Sequence, residues 1–577
     1  MNHDNAIYTL TANDGFTASF TEKTISENIR ILHLTAKSDA PSKLALTLEW
    51  KIPDVGINVC YSPIGCTRRN IRPDWGGFVG SSAMSSAPVF SDIGYDDTNR
   101  LTIACSDAKN SVRIRSGVVE ETAELINTVL INVDCLVTDY ECDVRLDMIK
   151  IPFYKCVGDV TRWWESYDGY KPIHVPDAAR RQLYSAWYSF HRSVNVQKII
   201  GECGFFSKLG CGSVIVDDGW QTAHTGIGYA YCGDWEPHPS KVMDMKAFVD
   251  AIHALGMKFI LWYSVPYVGI NSKAYERFKD KLLTPDRTEA FPLDPRYPEV
   301  RQYLIDIYRN ALIDWGLDGF KLDFIDSFRQ SAEVKDGMDY VSVYDAVDRL
   351  MKDVVHELTS INPEILIEFR QSYIGPLMRT FGNMLRSSDC PNDSFSNRLN
   401  TLSLRMTSGN TAVHSDMVMW NYDEPVEEAA YQLTNILFSV PQISVLHDRM
   451  PKAHLMMLRN YLEFWTANRD ILLDGEMFYK NYAADFSYVS SKKDEIQIGA
   501  VYSGKIAYIN EPTKKIVIFN ASPEKNILIE CENGGVYGYT VFDCLGEKVG
   551  EGILRLSGLA RVDVPTNGRV EFLGKEE

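Results

Sequence analysis

Between about residue 180 and residue 480 short apolar runs alternate with segments of helical period, and this alternation constrains the fold more than any other feature of the chain. The runs are "LYSAWYS", "SVIVDDG", "KFILWYS", "GFKLDFI", "ILIEFR", "NMLRSSD", "NTAVHSD" and "QISVLHD". Short apolar stretches bounded by Gly and polar residues read as strands buried on both faces. The segments between them carry helical spacing. Phe248, Ile252 and Leu255 fall at i, i+4 and i+7 ahead of Gly256, and Val300, Leu304, Ile307 and Ala311 repeat the pattern ahead of Gly316. Eight strand-then-helix units predict an α/β fold of the (β/α)8 TIM-barrel type.

The flanks have a different rhythm. Residues 1–175 hold short alternating segments such as "SKLALTLEWKI" and "INTVLINVDCLV", cut by turn residues, which predict an N-terminal antiparallel β-sandwich with no long helix. Residues 176–482 are predicted to form the barrel. Residues 483–577 return to short strands, "EIQIGAVYSG" and "KKIVIFNA" among them, and predict a small C-terminal antiparallel β-sandwich.

The formal charge of −18 over 577 residues argues against a surface made for nucleic-acid phosphates or anionic lipid. Small neutral ligands fit better. Twelve cysteines occur with no CxxC pair and read as reduced core residues. The start of the sequence, "MNHDNAIYTL", has no basic stretch followed by an apolar one, and no apolar run is long enough to span a bilayer. The expectation is a cytoplasmic protein with no membrane segment. No HExxH or comparable His/carboxylate cluster occurs, so neither metal nor cofactor is expected.

In a barrel of this type the site lies at the C-terminal strand ends, and several strands here end in polar residues. They are Asp217-Asp218, Lys321 and Asp323, Glu368 and Arg370, Ser388-Asp389, and His414 with Asp416. Strand parity sends Phe320, Leu322 and Phe324 toward the helices and Lys321 and Asp323 toward the barrel axis. An ammonium beside Asp323 favours its ionised form, suiting it to act as a nucleophile. Asp389, two strands later, is the natural second carboxyl. One ionised and one protonated carboxyl are the machinery of glycoside hydrolysis.

These stretches carry a resemblance. "VIVDDGWQ", "GDWEPHPSKVMDMKAFVDAIHALGMKFILW", "LDPRYPEVRQYL", "GLDGFKLDF" and "RSSD", in that order, resemble glycoside hydrolase family 36, the α-galactosidase and raffinose-synthase group of retaining α-glycosidases. The resemblance implies Asp323 as nucleophile and Asp389 as acid/base, with Lys321 the motif lysine. It implies that Asp217 and Asp218 accept hydrogen bonds from sugar hydroxyls. Trp187 and Trp235 match aromatic positions near the sugar, and Arg287 matches a family arginine. It also implies a carbohydrate substrate, and it leaves homo-oligomer formation open.

The chain departs from the family pattern in two places. "EFRQSYIG" puts Arg370 near a position usually held by Cys, close to the sugar's C2 substituent, and "WYSVPYVG" lacks the family's acidic segment after strand three. The sequence therefore predicts an α-galactosidase. The alternatives are a same-fold enzyme on another α-linked sugar such as an N-acetylgalactosaminide, an α-galactosyl transglycosylase, a Schiff-base chemistry at Lys321, and a non-catalytic sugar-binding protein. In the N-terminal zone "CTRRNIRPDWGG" reads as surface, with Trp75 a minor candidate for a loop that closes over the site.

Overall fold

A computed structural model describes residues 6–63, 69–285, 287–331, 333–532 and 534–574. The eight predicted runs all form strands: β1 (Leu183–Ser185), β2 (Ser213–Val216), β3 (Lys258–Ser264), β4 (Gly319–Asp323), β5 (Leu366–Arg370), β6 (Met384–Arg386), β7 (Ala412–His414) and β8 (Gln442–Ile443). They lie in one parallel sheet in which β1 pairs with both β2 and β8. Parallel bridges from His414 to Val440 and from Val418 to Ile443 join β7 to the β8 segment and close the ring.

The helices between strands end at or just before the predicted glycines, Gly256 and Gly316, both in the left-handed region. Asp244 accepts from the Ala247 amide at the start of Met245–His253, and the next long helix, Pro298–Trp315, opens on Pro298 and stops at left-handed Gly316. Its Val300, Leu304, Ala311 and Leu312 are buried, and Tyr308 meets Phe320 of β4 edge-on at 5.5 Å. Phe320 thus faces the helices as parity requires. Phe324 does not. It takes a left-handed backbone conformation just past β4 and turns into the barrel mouth among Tyr229, Trp262 and Tyr267. Parity holds only while the chain stays extended.

Before the barrel, two long strands, Ile29–Pro53 and Glu124–Asp147, run antiparallel and form the spine of a ten-stranded sheet. Leu32, Leu34, Leu46, Leu48, Val129 and Ile131 fill its core. A helix follows at Phe153–Glu165, contrary to the expectation of none. Phe153, Val157, Val160 and Trp164 are its buried stripe, at i, i+4, i+7 and i+11. The aromatic and β-branched content of "FYKCVGDVTRWWE" hid this period. After the long helix Lys452–Asp474, a seven-stranded and a three-stranded sheet pack around Ile516, Ile518, Ile527, Ile529 and Phe572. Among the described residues no cysteine forms a disulfide, and no helix is long and apolar enough to cross a membrane.

Candidate active site

Alternation along the strands builds the barrel interior in layers. The lowest inward layer is apolar: Leu183, Ile215, Ile260, Leu366, Met384 and Ala412. Two residues further along, the inward positions of β4, β5, β6 and β7 carry Lys321, Glu368, Arg386 and His414, all buried. The plug excludes water from below, so charges above it need partners within the protein.

Asp323 ends β4, and its carboxylate is unevenly held. Oδ1 accepts from Arg370 Nε at 2.9 Å, from the Phe324 amide at 2.9 Å and from the Tyr373 hydroxyl. Among the described residues Oδ2 accepts only from Trp262 Nε1, at 3.1 Å. Burial alone would favour the acid, but Arg370, Lys321 and the hydroxyl and indole donors outweigh it and hold the carboxyl well below the usual carboxylate range. The charged form of Asp323 is therefore strongly favoured. Arg370 sits against the nucleophile candidate itself, a partner the sequence does not reveal.

Lys321 pairs across the barrel with Asp217 at 2.6 Å rather than with its neighbour Asp323. The buried lysine two positions from an aspartate therefore has a partner on β2's end, and its charge reaches Asp323 as a second, indirect influence. Asp217 Oδ1 also accepts the Asp218 amide at 2.9 Å. Asp218 is bound by Arg192 at 2.9 Å and by Gln221 at 2.7 Å. Burial dominates there and raises its pKa to about 6.

Asp389 lies just past β6, with half of its side chain exposed (50%). Arg386, fully buried, reaches it at 2.9 Å, binds Asp416 through a second nitrogen and lies 3.5 Å from Glu368. Burial opposes ionisation of Asp389, yet Arg386, Lys321 and Arg370 prevail and hold the carboxyl below its ordinary value. This favours the charged form of Asp389, whereas the sequence reading gives it a proton to donate. Arg386 is the reason. Asp416 is occupied by Arg386, Tyr188 and the Cys390 amide, and His414 is neutral, its pKa pushed down to about 4 by burial while Nε2 meets the Ala179 carbonyl at 2.7 Å.

An aromatic wall closes one side of the mouth. Arg287 donates to the Tyr267 hydroxyl at 2.9 Å and lies 4.8 Å over the rings of Tyr229 and Phe324. Trp235 is buried behind this wall, 5.9 Å from Trp262 and 6.0 Å from Trp220, so it backs Trp262 rather than offering a face to a ligand. Trp187, half-buried just past β1, packs on His191 at 4.6 Å. Trp75 is exposed and nearest Glu120; Cys66 and Arg68 of its loop lie outside the described residues.

Sequence reasoning missed Arg192, Trp262, Tyr373 and Arg386. Arg386 was legible: it is the last residue of an apolar run, in the same situation as Lys321. Nothing in the spacing announces the others. A cavity of about 630 Å³ lies at the opposite end of the barrel, beside Asn410, Ala412, Arg405 and Asp474. It is far from this chemistry because Ala412 opens β7, whereas the carboxylates follow the strand ends.

Fold and site define a (β/α)8-barrel protein with a carboxylate-rich mouth, flanked by β-rich units. A family model described as Melibiase matches residues 172–377. A galactosaminidase of Flavonifractor plautii described as "A type blood alpha-D-galactosamine galactosaminidase" is 27% identical over 174 residues, 27% of this chain and 15% of that protein. Alpha-galactosidase Mel36A of Lactobacillus acidophilus is 27% identical over 158 residues, 26% of this chain and 20% of that protein. The chain thus matches a fifth or less of the length of these curated relatives. Among solved structures, the family 36 α-galactosidase AgaA of Geobacillus stearothermophilus in complex with raffinose aligns with a TM-score of 0.65 at 13% identity, over 97% of this chain and 81% of that one. The α-galactosidase of Lactobacillus brevis gives 0.65 at 16% identity, over 99% and 86%; likeness at such identities speaks to the fold. The likeness is to the melibiase family over residues 172–377 and, in fold, to the α-galactosidases of glycoside hydrolase family 36.

Proposed function

We propose that this protein is a retaining α-galactosidase that hydrolyses terminal α-linked galactosyl units. The observation that carries the reading is Asp323: an anion fixed at the mouth by Arg370, Tyr373 and Trp262, with one oxygen lightly engaged. Asp323 Oδ2 attacks the anomeric carbon as the glycosidic C–O bond breaks, and the electron pair leaves with the aglycone oxygen. Asp389 gives that oxygen its proton. Water then attacks the anomeric carbon, the ester bond returns its electrons to Asp323, and Asp389 takes the water proton, so configuration is kept.

Asp389 has to gain its proton first. A sugar covering its exposed half raises the cost of its charge, so protonation accompanies binding. Asp217 and Asp218 are the acceptors for sugar hydroxyls. Support for the galactosyl unit comes from relatives named α-galactosidases and from a structural neighbour bound to 1-deoxygalactonojirimycin. A second reading, an α-linked 2-amino or 2-acetamido sugar, draws on the galactosaminidase relative and on the cation Arg370 in the site.

A panel of aryl α-glycosides tests both. The galactoside is expected to be hydrolysed fastest, with the α-anomer of galactose as first product by NMR. Preference for the galactosaminide supports the second reading, and no hydrolysis of any member contradicts both. On the best substrate KM should rise as pH falls below about 6, because Asp218 is protonated below that value and loses its charge as an acceptor. A charged acceptor contributes about 1.5–3 kcal/mol, or roughly ten- to a hundred-fold in binding. Asp218→Asn should bind weakly at every pH, with this dependence gone.

A further inference from the structure

We propose that Arg370 and Tyr373 form a clamp on Asp323 Oδ1 that selects Oδ2 as the attacking atom and speeds the second chemical step at the expense of the first. The proposal rests on the glycosidase reading above. Its basis is the asymmetry of the carboxylate. Three donors converge on Oδ1, namely Arg370 Nε at 2.9 Å, the Tyr373 hydroxyl and the Phe324 amide at 2.9 Å, against one indole at 3.1 Å on Oδ2. An oxygen with its acceptor directions filled is poorly placed to form a new bond, so Oδ2 is the atom presented to the substrate.

The clamp is itself held. Arg370 Nη1 donates to the Gln371 carbonyl at 3.1 Å, and its guanidinium lies 4.9 Å from the Tyr373 ring centre and 5.6 Å from that of Phe324. Tyr373 is buried, and its hydroxyl also lies 3.1 Å from the Phe324 amide nitrogen. Both residues come from "EFRQSYIG", the stretch in which this chain departs from the family pattern, so the clamp belongs to this chain's own variation.

The chemical consequence follows from charge. In the first step Asp323 gives up its negative charge to form the ester, and interactions made with the anion are weakened on the way to that transition state. In the second step the carboxylate reappears as leaving group, and the same donors stabilise it as it departs. The ester is short-lived and attack on the glycosidic bond limits turnover. Other charged or titratable groups near Asp323 are Lys321 and Asp326 from its own segment and Tyr229 from the loop after β2, while Arg370 feels the Arg386–Asp389 pair from β6.

The test uses full-length Arg370→Met, Arg370→Lys and Tyr373→Phe with aryl α-galactosides of graded phenol acidity. In the wild type kcat should climb with phenol acidity across the whole series, with no pre-steady-state burst. In Arg370→Met the rate should level off for the most acidic phenols and a burst of phenol should appear. The acidic limb of kcat at saturating substrate, where Asp218's effect on KM drops out, should also move up by about 1 to 3 pH units, the effect of losing an adjacent opposite charge. Arg370→Lys should restore most of the wild-type pattern. Tyr373→Phe keeps the ring's packing and should shift the same readouts the same way by less, so it decides the matter if Arg370→Met does not fold. Wild-type leaving-group dependence and an unmoved acidic limb in the variants, with only KM changed, would overturn the clamp. A wild-type protein that hydrolyses no glycoside would instead overturn the reading beneath it.

Discussion

Asp323→Asn is expected to cut turnover of an aryl α-galactoside by on the order of 10³-fold or more, since it removes the ionised oxygen, held by Trp262 Nε1, that attacks the sugar. Asparagine keeps the shape and an acceptor for Arg370 and Tyr373, so the variant should retain its fold. Asp323→Ala is a poorer test: it strips Arg370 of its carboxylate partner and lowers stability as well as activity. Asp389→Ala should behave differently. Its side chain is half-exposed, and Arg386 keeps Asp416 and Glu368 without it, so folding is unaffected. With a poor leaving group the loss should be about 10²- to 10⁴-fold, the usual contribution of a positioned acid, and with a strongly acidic phenol far smaller. Steady-state kinetics on the two substrate types reads both patterns. Equal losses on both would assign Asp389 a role other than proton donor.

The largest stability effect is expected at Arg386, whose side chain is fully buried between Asp416, Glu368 and Asp389. Arg386→Met removes the cation and leaves two fully buried carboxylates without it, which costs about 3–5 kcal/mol for a broken buried pair. The sign of the pH dependence is fixed by the same groups. Burial already raises the pKa values of Asp416 and Glu368 in the folded state, and loss of Arg386 raises them further. A carboxyl whose folded pKa lies above its unfolded one binds more protons when folded, so its drag on stability grows as pH rises through that interval and is absent below it. Thermal midpoints should therefore separate from wild type more at pH 8 than at pH 5. An equal separation at both pH values would contradict the assignment of Arg386 as the cation holding this network.

The barrel could be read from the sequence because its strands are buried on both faces. Each run is apolar enough to stand out, and Gly256 and Gly316 mark where helices stop. Strand parity also put Lys321 and Asp323 on the axis. What parity does not give is a partner: Lys321 meets Asp217, which arrives from another strand 104 residues away, and Asp323 meets Arg370 from the next strand in the ring. Partner choice is a tertiary matter. Phe324 was misplaced because a single left-handed residue ends the alternation, and the helix Phe153–Glu165 was missed because its stripe is made of residues that favour strands. Among the charges acting on Asp389 the foremost is Arg386, a buried cation that, like Lys321, stands at the end of an apolar run.

The central claim is that Asp323 carries the sugar. A fluorosugar whose electron-poor ring slows ester cleavage, offered as the α-galactosyl fluoride, should inactivate the protein and leave one sugar on the peptide containing Asp323 when the digest is read by mass spectrometry. Rapid turnover too fast for trapping is met by using Arg370→Met, in which the ester should persist longer. Label on Asp389, on Lys321 or on any peptide without Asp323 would contradict the account.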